Sequence, residues 1–308
     1  MIMRKLFTLL IVMFLWAGSS WAQSTYTFAS AAGSYTALST ETVLWSGTFD
    51  ESVSTAITIP SFTFAGTAYT TMYVTSNGFL TLGTTAPTTY YYTPISGTGA
   101  YSASISPFGG DLVNAGSGSP KISYNTNDGG DIVVQWQAVR KYGSSYTTHI
   151  VSVQARLNPT TGTIKFVYGG TITATSGSTT FQVGLRGTSN TAYNNRTTLT
   201  DWSATTAGGT NAATCTFGVG VIPVVGLTYT FSPPVSGTPL PPTTPSPADA
   251  ATGVATSGTT TWTFGANTTT YDLKFGPTGS MTQVVTGAAA GATGSYPYSG
   301  LSNNTVYQ

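Results

Sequence analysis

Asp131-Ile132-Val133-Val134-Gln135-Trp136-Gln137-Ala138-Val139 is followed by Ile150-Val151-Ser152-Val153-Gln154-Ala155-Arg156-Leu157. Asn158-Pro159-Thr160-Thr161-Gly162 then leads into Ile164-Lys165-Phe166-Val167-Tyr168. Each run is short, rich in β-branched and aromatic residues, and bounded by turn formers, the pattern of successive strands. None has the 3.6-residue apolar spacing of an amphipathic helix. The same reading extends in both directions. Ala56-Ile57-Thr58-Ile59, Met72-Tyr73-Val74-Thr75 and Phe79-Leu80-Thr81-Leu82 lie upstream; Phe181-Gln182-Val183-Gly184-Leu185 and Leu227-Thr228-Tyr229-Thr230-Phe231 lie downstream. Ser76-Asn77-Gly78 and Asp128-Gly129-Gly130 are hairpin signals between runs. The expected fold class is all-β, an antiparallel β-sandwich of jelly-roll type spanning residues 23–232.

Composition supports this. Of 308 residues only 6% are charged and 40% are hydrophobic, which permits a core and gives little scope for charge-driven disorder. Cys215 is the only cysteine, so no intrachain disulfide can form. It sits in the alternating run Ala213-Thr214-Cys215-Thr216-Phe217 and reads as a buried strand residue.

The first residues address the compartment. Arg4-Lys5, an apolar run from Leu6 to Ala17, and Ser19-Ser20-Trp21-Ala22 have the three-part pattern of a secretory signal peptide over residues 1–22. The apolar run is shorter than a bilayer-spanning helix needs, and no later stretch is long enough either. Without Arg4 and Lys5, eight basic residues face nine acidic ones. No basic stripe suits nucleic acid. A secreted or cell-surface protein is expected.

Composition changes after Ser232. Pro233-Pro234, Pro239-Leu240-Pro241-Pro242, Pro245 and Pro247 suit an extended spacer over residues 233–247. Beyond it stand Thr259-Thr260-Thr261-Trp262-Thr263-Phe264, Thr270-Tyr271-Asp272-Leu273-Lys274-Phe275-Gly276 and Leu301-Ser302-Asn303-Asn304-Thr305-Val306-Tyr307. These motifs resemble a fibronectin type III domain, an immunoglobulin-like sandwich, over residues 248–308. The resemblance implies that Tyr307 forms a tyrosine corner. Such a domain needs about 100 residues, so this one is expected to be truncated, with further domains of the same polypeptide as its partners.

Three motifs mark the first domain: Val74-Thr75-Ser76-Asn77-Gly78-Phe79-Leu80-Thr81-Leu82-Gly83, Ile105-Ser106-Pro107-Phe108-Gly109-Gly110-Asp111-Leu112 and Val133-Val134-Gln135-Trp136. In this order they resemble a nidogen-like extracellular β domain of large secreted Bacteroidota proteins. The resemblance implies an adhesive or ligand-binding role in a multidomain protein exported by type IX secretion. Relatives often carry an aromatic and an acidic residue where this chain has Gly109 and Gly110.

Chemistry-bearing residues are few. His149 is the sole histidine, opens a strand-like run, and reads as an exposed or edge-strand residue rather than a member of a Ser-His-Asp triad. One His and one Cys cannot furnish a zinc site. Asp50-Glu51 are adjacent and read as loop decoration rather than a flanking carboxylate pair. Asn125, Asn127, Asp128 and Asp131 form an oxygen-rich turn that suits calcium. These are also ordinary turn residues, and a plain hairpin is the favoured reading. Tyr90, Tyr91 and Tyr92 are the candidate ligand surface, since tyrosine combines a rigid apolar body with a polar tip; packing is the competing role. The expected function is a non-enzymatic extracellular adhesion, ligand-binding or spacer module whose partner is an extracellular protein or glycan. The alternatives are accessory domains of a secreted peptidase or glycoside hydrolase, and a carbohydrate-binding module.

Overall fold

The computed structural model describes residues 26–234, 239–265 and 267–308. The expected signal peptide lies outside the described residues. Two compact units divide after Pro234. Among the described residues the first carries sixteen strands: β1 (Thr27–Ala32), β2 (Thr42–Ser46), β3 (Ile57–Phe64), β4 (Thr67–Val74), β5 (Leu80–Leu82) and β6 (Ala103–Gly109). Next come β7 (Leu112–Asn114), β8 (Lys121–Asp128), β9 (Asp131–Lys141), β10 (Ile150–Leu157) and β11 (Ile164–Thr173). The unit ends with β12 (Ser178–Arg186), β13 (Tyr193–Thr197), β14 (Thr206–Ala207), β15 (Cys215–Gly218) and β16 (Leu227–Ser232).

These strands make two eight-stranded sheets. The first runs β1-β16-β11-β10-β9-β8-β2, with β7 also on β9; the second runs β14-β13-β12-β6-β5-β4-β3, with β15 also on β12. The fold is an all-β sandwich of antiparallel strand pairs. Side chains that alternate inward bury one shared core. Ile132, Val134, Trp136, Val153 and Phe166 come from the first sheet; Ile57, Met72, Leu80, Ile105 and Leu185 come from the second. Two buried aromatics bridge the layers through their polar tips. Trp136 Nε1 donates to Thr75 O at 2.8 Å, and the Tyr168 hydroxyl donates to Pro107 O at 2.9 Å.

The central strands are buried on both faces, because a connecting segment covers the outer face of each sheet. Over the first sheet lie residues 33–41. The outward-facing Gln135 Oε1 accepts from the Tyr35 hydroxyl (3.2 Å), Leu38 N (3.0 Å) and Gln154 Nε2 (2.8 Å). Gln154 Nε2 also donates to Thr36 O at 2.8 Å. Ser123 Oγ donates to Glu41 at 2.6 Å, and Lys121 pairs with the same carboxylate. Tyr35 packs against β11, where a side chain at Gly169 would meet the Tyr35 Cβ at 2.1 Å.

The second unit holds β17 (Thr243–Ser246), β18 (Gly258–Thr263), β19 (Thr270–Phe275), β20 (Thr282–Ala289) and β21 (Thr293–Tyr298). They form a three-stranded sheet, β17-β18-β21, and a two-stranded one, β19-β20. The end of the Pro-rich stretch expected as spacer is thus strand β17. It is an edge strand, where a proline costs no ladder bond on the open side. Trp262 packs against Phe264 and Tyr271, both at 5.8 Å between ring centres, yet stays half-buried. No helix among the described residues is long and apolar enough to cross a membrane.

Candidate functional site

The outer face of the second sheet is covered by residues 84–102, a segment broken by Pro87, Pro94, Gly97 and Gly99 that crosses over β5, β6 and β12 without joining them. Outward residues of β12 hold it. Gln182 Oε1 accepts from Ile95 N at 2.9 Å and Ser96 N at 3.3 Å, and its Nε2 donates to Ser96 Oγ at 2.7 Å. Arg186 Nη2 donates to Gly99 O at 2.7 Å. The segment also braces itself. Tyr101 donates its hydroxyl to Pro94 O at 2.9 Å, and the Tyr91 hydroxyl accepts from Gly99 N. A Cβ at Gly97 would lie 2.1 Å from the Tyr91 hydroxyl, so this close approach needs glycine.

The three tyrosines therefore have three different roles. Tyr91 packs at 5.4 Å edge-on to Tyr101 and at 6.4 Å from Phe79. Tyr92 donates its hydroxyl to Glu51 Oε1 at 2.6 Å, and that carboxylate, with burial and the neighbouring acids, raises its phenol well above the usual range. Tyr90 is 71% exposed. The covering segment thus presents one aromatic side chain to solvent on a base fixed by two others.

Beside Tyr92 the structure gathers a group that residue spacing alone does not indicate. One ligand oxygen each from Asp50, Glu51 and Asp111 lies within 4.8 Å of the others. Glu51 has a left-handed backbone (φ 44°), so the neighbouring carboxylates do not diverge as they would on a strand. Asn77, fully buried in the β4–β5 turn, joins the parts. Its Oδ1 accepts from Leu112 N at 3.0 Å, and its Nδ2 donates to Glu51 Oε2 (3.3 Å) and Thr89 O (3.2 Å). Burial raises the carboxyl of Asp50, with repulsion from Glu51 and Asp111 adding to it. Burial also raises Asp111, against the opposing pull of Lys141 at 3.8 Å. Hard oxygens at this spacing are the donor type that divalent cations take. The space beside Gly109 and Gly110 is occupied by Pro94 and Phe181: a Cβ on Gly109 would lie 2.4 Å from Pro94 Cγ, and one on Gly110 would lie 2.7 Å from Phe181 Cδ1.

The Asn125–Asp131 turn is separate from this group. Gly129 and Gly130 (φ 62° and 92°) join β8 to β9 in the left-handed pair that a two-residue hairpin requires. Asn125 Oδ1 accepts from Asn127 N at 2.8 Å. Asp128 and Asp131 both face Arg156, whose Nη2 lies 2.8 Å from Asp128 Oδ2 and whose Nε lies 3.1 Å from Asp131 Oδ2. A guanidinium thus supplies the positive charge that these carboxylates face.

The remaining reactive residues are in the packing. Cys215 is buried, and burial pushes its thiol up to about 11, the reverse of an activated nucleophile. His149 is fully buried, not at an exposed edge, with its ring 5.1 Å from Tyr146 and 6.1 Å from Phe217. Burial lowers its imidazole.

Known proteins were compared with the chain. The family model described as NIDO related matches residues 25–233. No curated protein and no solved structure matches.

Proposed function

Because this chain belongs to the nidogen-related family, whose domain spans residues 25–233, we propose that it acts as a non-enzymatic extracellular binding module. Its contact surface is the segment bearing Tyr90. The observation that carries this reading is the contrast within the tyrosine triplet. Tyr91 and Tyr92 are fixed by packing and by Glu51, while Tyr90 projects into solvent. A preorganised aromatic loses little entropy when it meets a glycan or protein surface. The burial of Cys215 and His149 in the packing supports a non-catalytic role. Residues 1–22 serve as the export signal on this reading.

The second unit is proposed as a fibronectin type III-like module. Its three-plus-two division of strands supports this, as does the Tyr307 hydroxyl, which accepts from Ser302 N at 3.0 Å in the manner of a tyrosine corner.

The test is binding of the intact chain to glycan arrays and to extracellular matrix proteins. Tyr90→Ala is expected to weaken the best ligand about tenfold or more while leaving the melting temperature unchanged. Full binding by that variant would move the contact surface elsewhere.

A further inference from the structure

Beneath the same covering segment lies a row of polar groups that the packing does not account for. Thr81 on β5 stands opposite Ser104 on β6, and Ser104 stands opposite Arg186 on β12. Register-paired residues share a face with Cβ atoms about 5 Å apart, so the three side chains form a short line on the outer face. Arg186 is 2% exposed, and Thr81 and Ser104 are fully buried. Thr81 Oγ1, Ser104 Oγ and Arg186 Nε and Nη1 have no hydrogen-bond partner among the described residues. Buried polar groups in native proteins nearly always have one.

Charge narrows the class of partner. A guanidinium stays charged in proteins, and an unpaired buried charge is strongly unfavourable. Among the described residues the ion pairs engage Lys121, Lys141 and Arg156, not Arg186. Its contacts are the Gly99 carbonyl and the face of Tyr101, 4.4 Å from the guanidinium carbon. Tyr101 is not a phenolate counter-charge, since it donates its proton to Pro94 O and burial raises its phenol further. The free groups are two hydroxyls and the guanidinium Nε and Nη1; because Nε–H and Nη1–H point to different edges of the guanidinium, one anion takes one of them together with the hydroxyls. Full burial of the three side chains suits a small anion better than a tetrahedral oxyanion.

We infer that Thr81, Ser104 and Arg186 form a binding site for a halide-sized monovalent anion, which locks residues 84–102 onto the second sheet. The test is thermal unfolding of the intact chain in sodium chloride and in sodium gluconate at equal ionic strength, together with anomalous diffraction from bromide-soaked crystals. In chloride at ten times its dissociation constant, the midpoint is expected to rise by about 3–6 °C over gluconate. Arg186→Gln abolishes the rise, and bromide gives an anomalous peak between Ser104 and Arg186. Should Arg186→Gln not fold, Ser104→Ala takes its place and is expected to reduce the rise. Equal midpoints in the two salts, an unaltered rise in the variant, or bromide bound only elsewhere would each overturn the assignment.

Discussion

Residues 33–41 and residues 84–102 do the same structural task on opposite sides of one sandwich, and the sandwich holds them differently. Over the first sheet, the Gln135 carbonyl takes three donors, and Ser123 and Lys121 both hold Glu41. Over the second, Gln182 is equally well used, but Thr81, Ser104 and part of Arg186 are left without protein partners. A satisfied polar layer under a loop rigidifies it; a partly satisfied one calls for another component. The second covering is thus the less fully satisfied of the two, and Tyr90 projects from it.

Removing the anchor of each covering should have the largest effect. Gln135→Leu strands Leu38 N and the Tyr35 hydroxyl, and is expected to cost about 2–4 kcal/mol by chemical denaturation. Gln182→Leu strands Ile95 N and Ser96 N and should cost a similar amount. A near-neutral result for Gln182→Leu alone would mean that the second covering is not held as described.

Next come the glycines under the two tyrosines. Gly169→Ala drives a methyl into the Tyr35 Cβ, a stiff point next to the backbone, whereas Gly97→Ala meets first the far end of Tyr91 and then the Thr93 carbonyl at 2.9 Å. A loss of about 1–3 kcal/mol is expected for Gly169→Ala and clearly less for Gly97→Ala. Equal losses would show that Tyr91 cannot move aside, and that the second covering is as rigid as the first.

Two fully buried serines sharpen the contrast further. Ser123→Ala gives up a hydrogen bond to a carboxylate and should cost about 1.5–3 kcal/mol. Ser104→Ala removes a hydroxyl with no protein partner and should fall within about 0.5 kcal/mol in gluconate buffer. The difference between them measures how much of the second layer is left to a bound component.

The smallest effect is in acid. Burial tends to raise Glu41, but its bonds to Lys121 and Ser123 prevail, and its carboxyl is held below the ordinary 4.5. The unfolded chain then takes up that proton first, so this stabilisation is present above 4.5 and fades as pH falls. Asp50 and Asp111 lie above their ordinary 3.8. Their folded state takes up protons first, so their contribution is present in acid and is lost as pH rises through their folded values. Hydrogen exchange, corrected for intrinsic rates, should show residues 33–41 loosening on acidification while the segment beside Tyr92 tightens. Parallel behaviour would remove this electrostatic distinction.

Much of the sandwich was legible in the sequence because alternation and turn chemistry are local. Asp128-Gly129-Gly130 became the expected hairpin, and Val133-Val134-Gln135-Trp136 became the central strand with Trp136 in the core. The coverings were not legible, since no local pattern says that an outward Gln135 or Gln182 will meet a loop. The candidate site was legible only in part. Tyr90-Tyr91-Tyr92 attracts attention as a triplet, but which ring faces water depends on Gly97, Gly99 and Glu51. Asp111 joins Asp50 and Glu51 only through the meeting of distant turns around Asn77. Arg186 drew no reading from the sequence, because burial of its face depends on a segment folded from elsewhere in the chain.

The first and last strands of this domain are neighbours, with Thr27 opposite Ser232 and Ala32 opposite Leu227. The two points where the chain enters and leaves thus sit side by side at one end of a single ladder. Their interstrand bonds run perpendicular to the strands. Tension applied through these two points loads the Thr27–Ser232 rung first and the others in turn, as a zip opens, instead of shearing all of them together. A tether built on this domain would lengthen by peeling β1 from β16, drawing Tyr26 and Phe28 off the core as it goes.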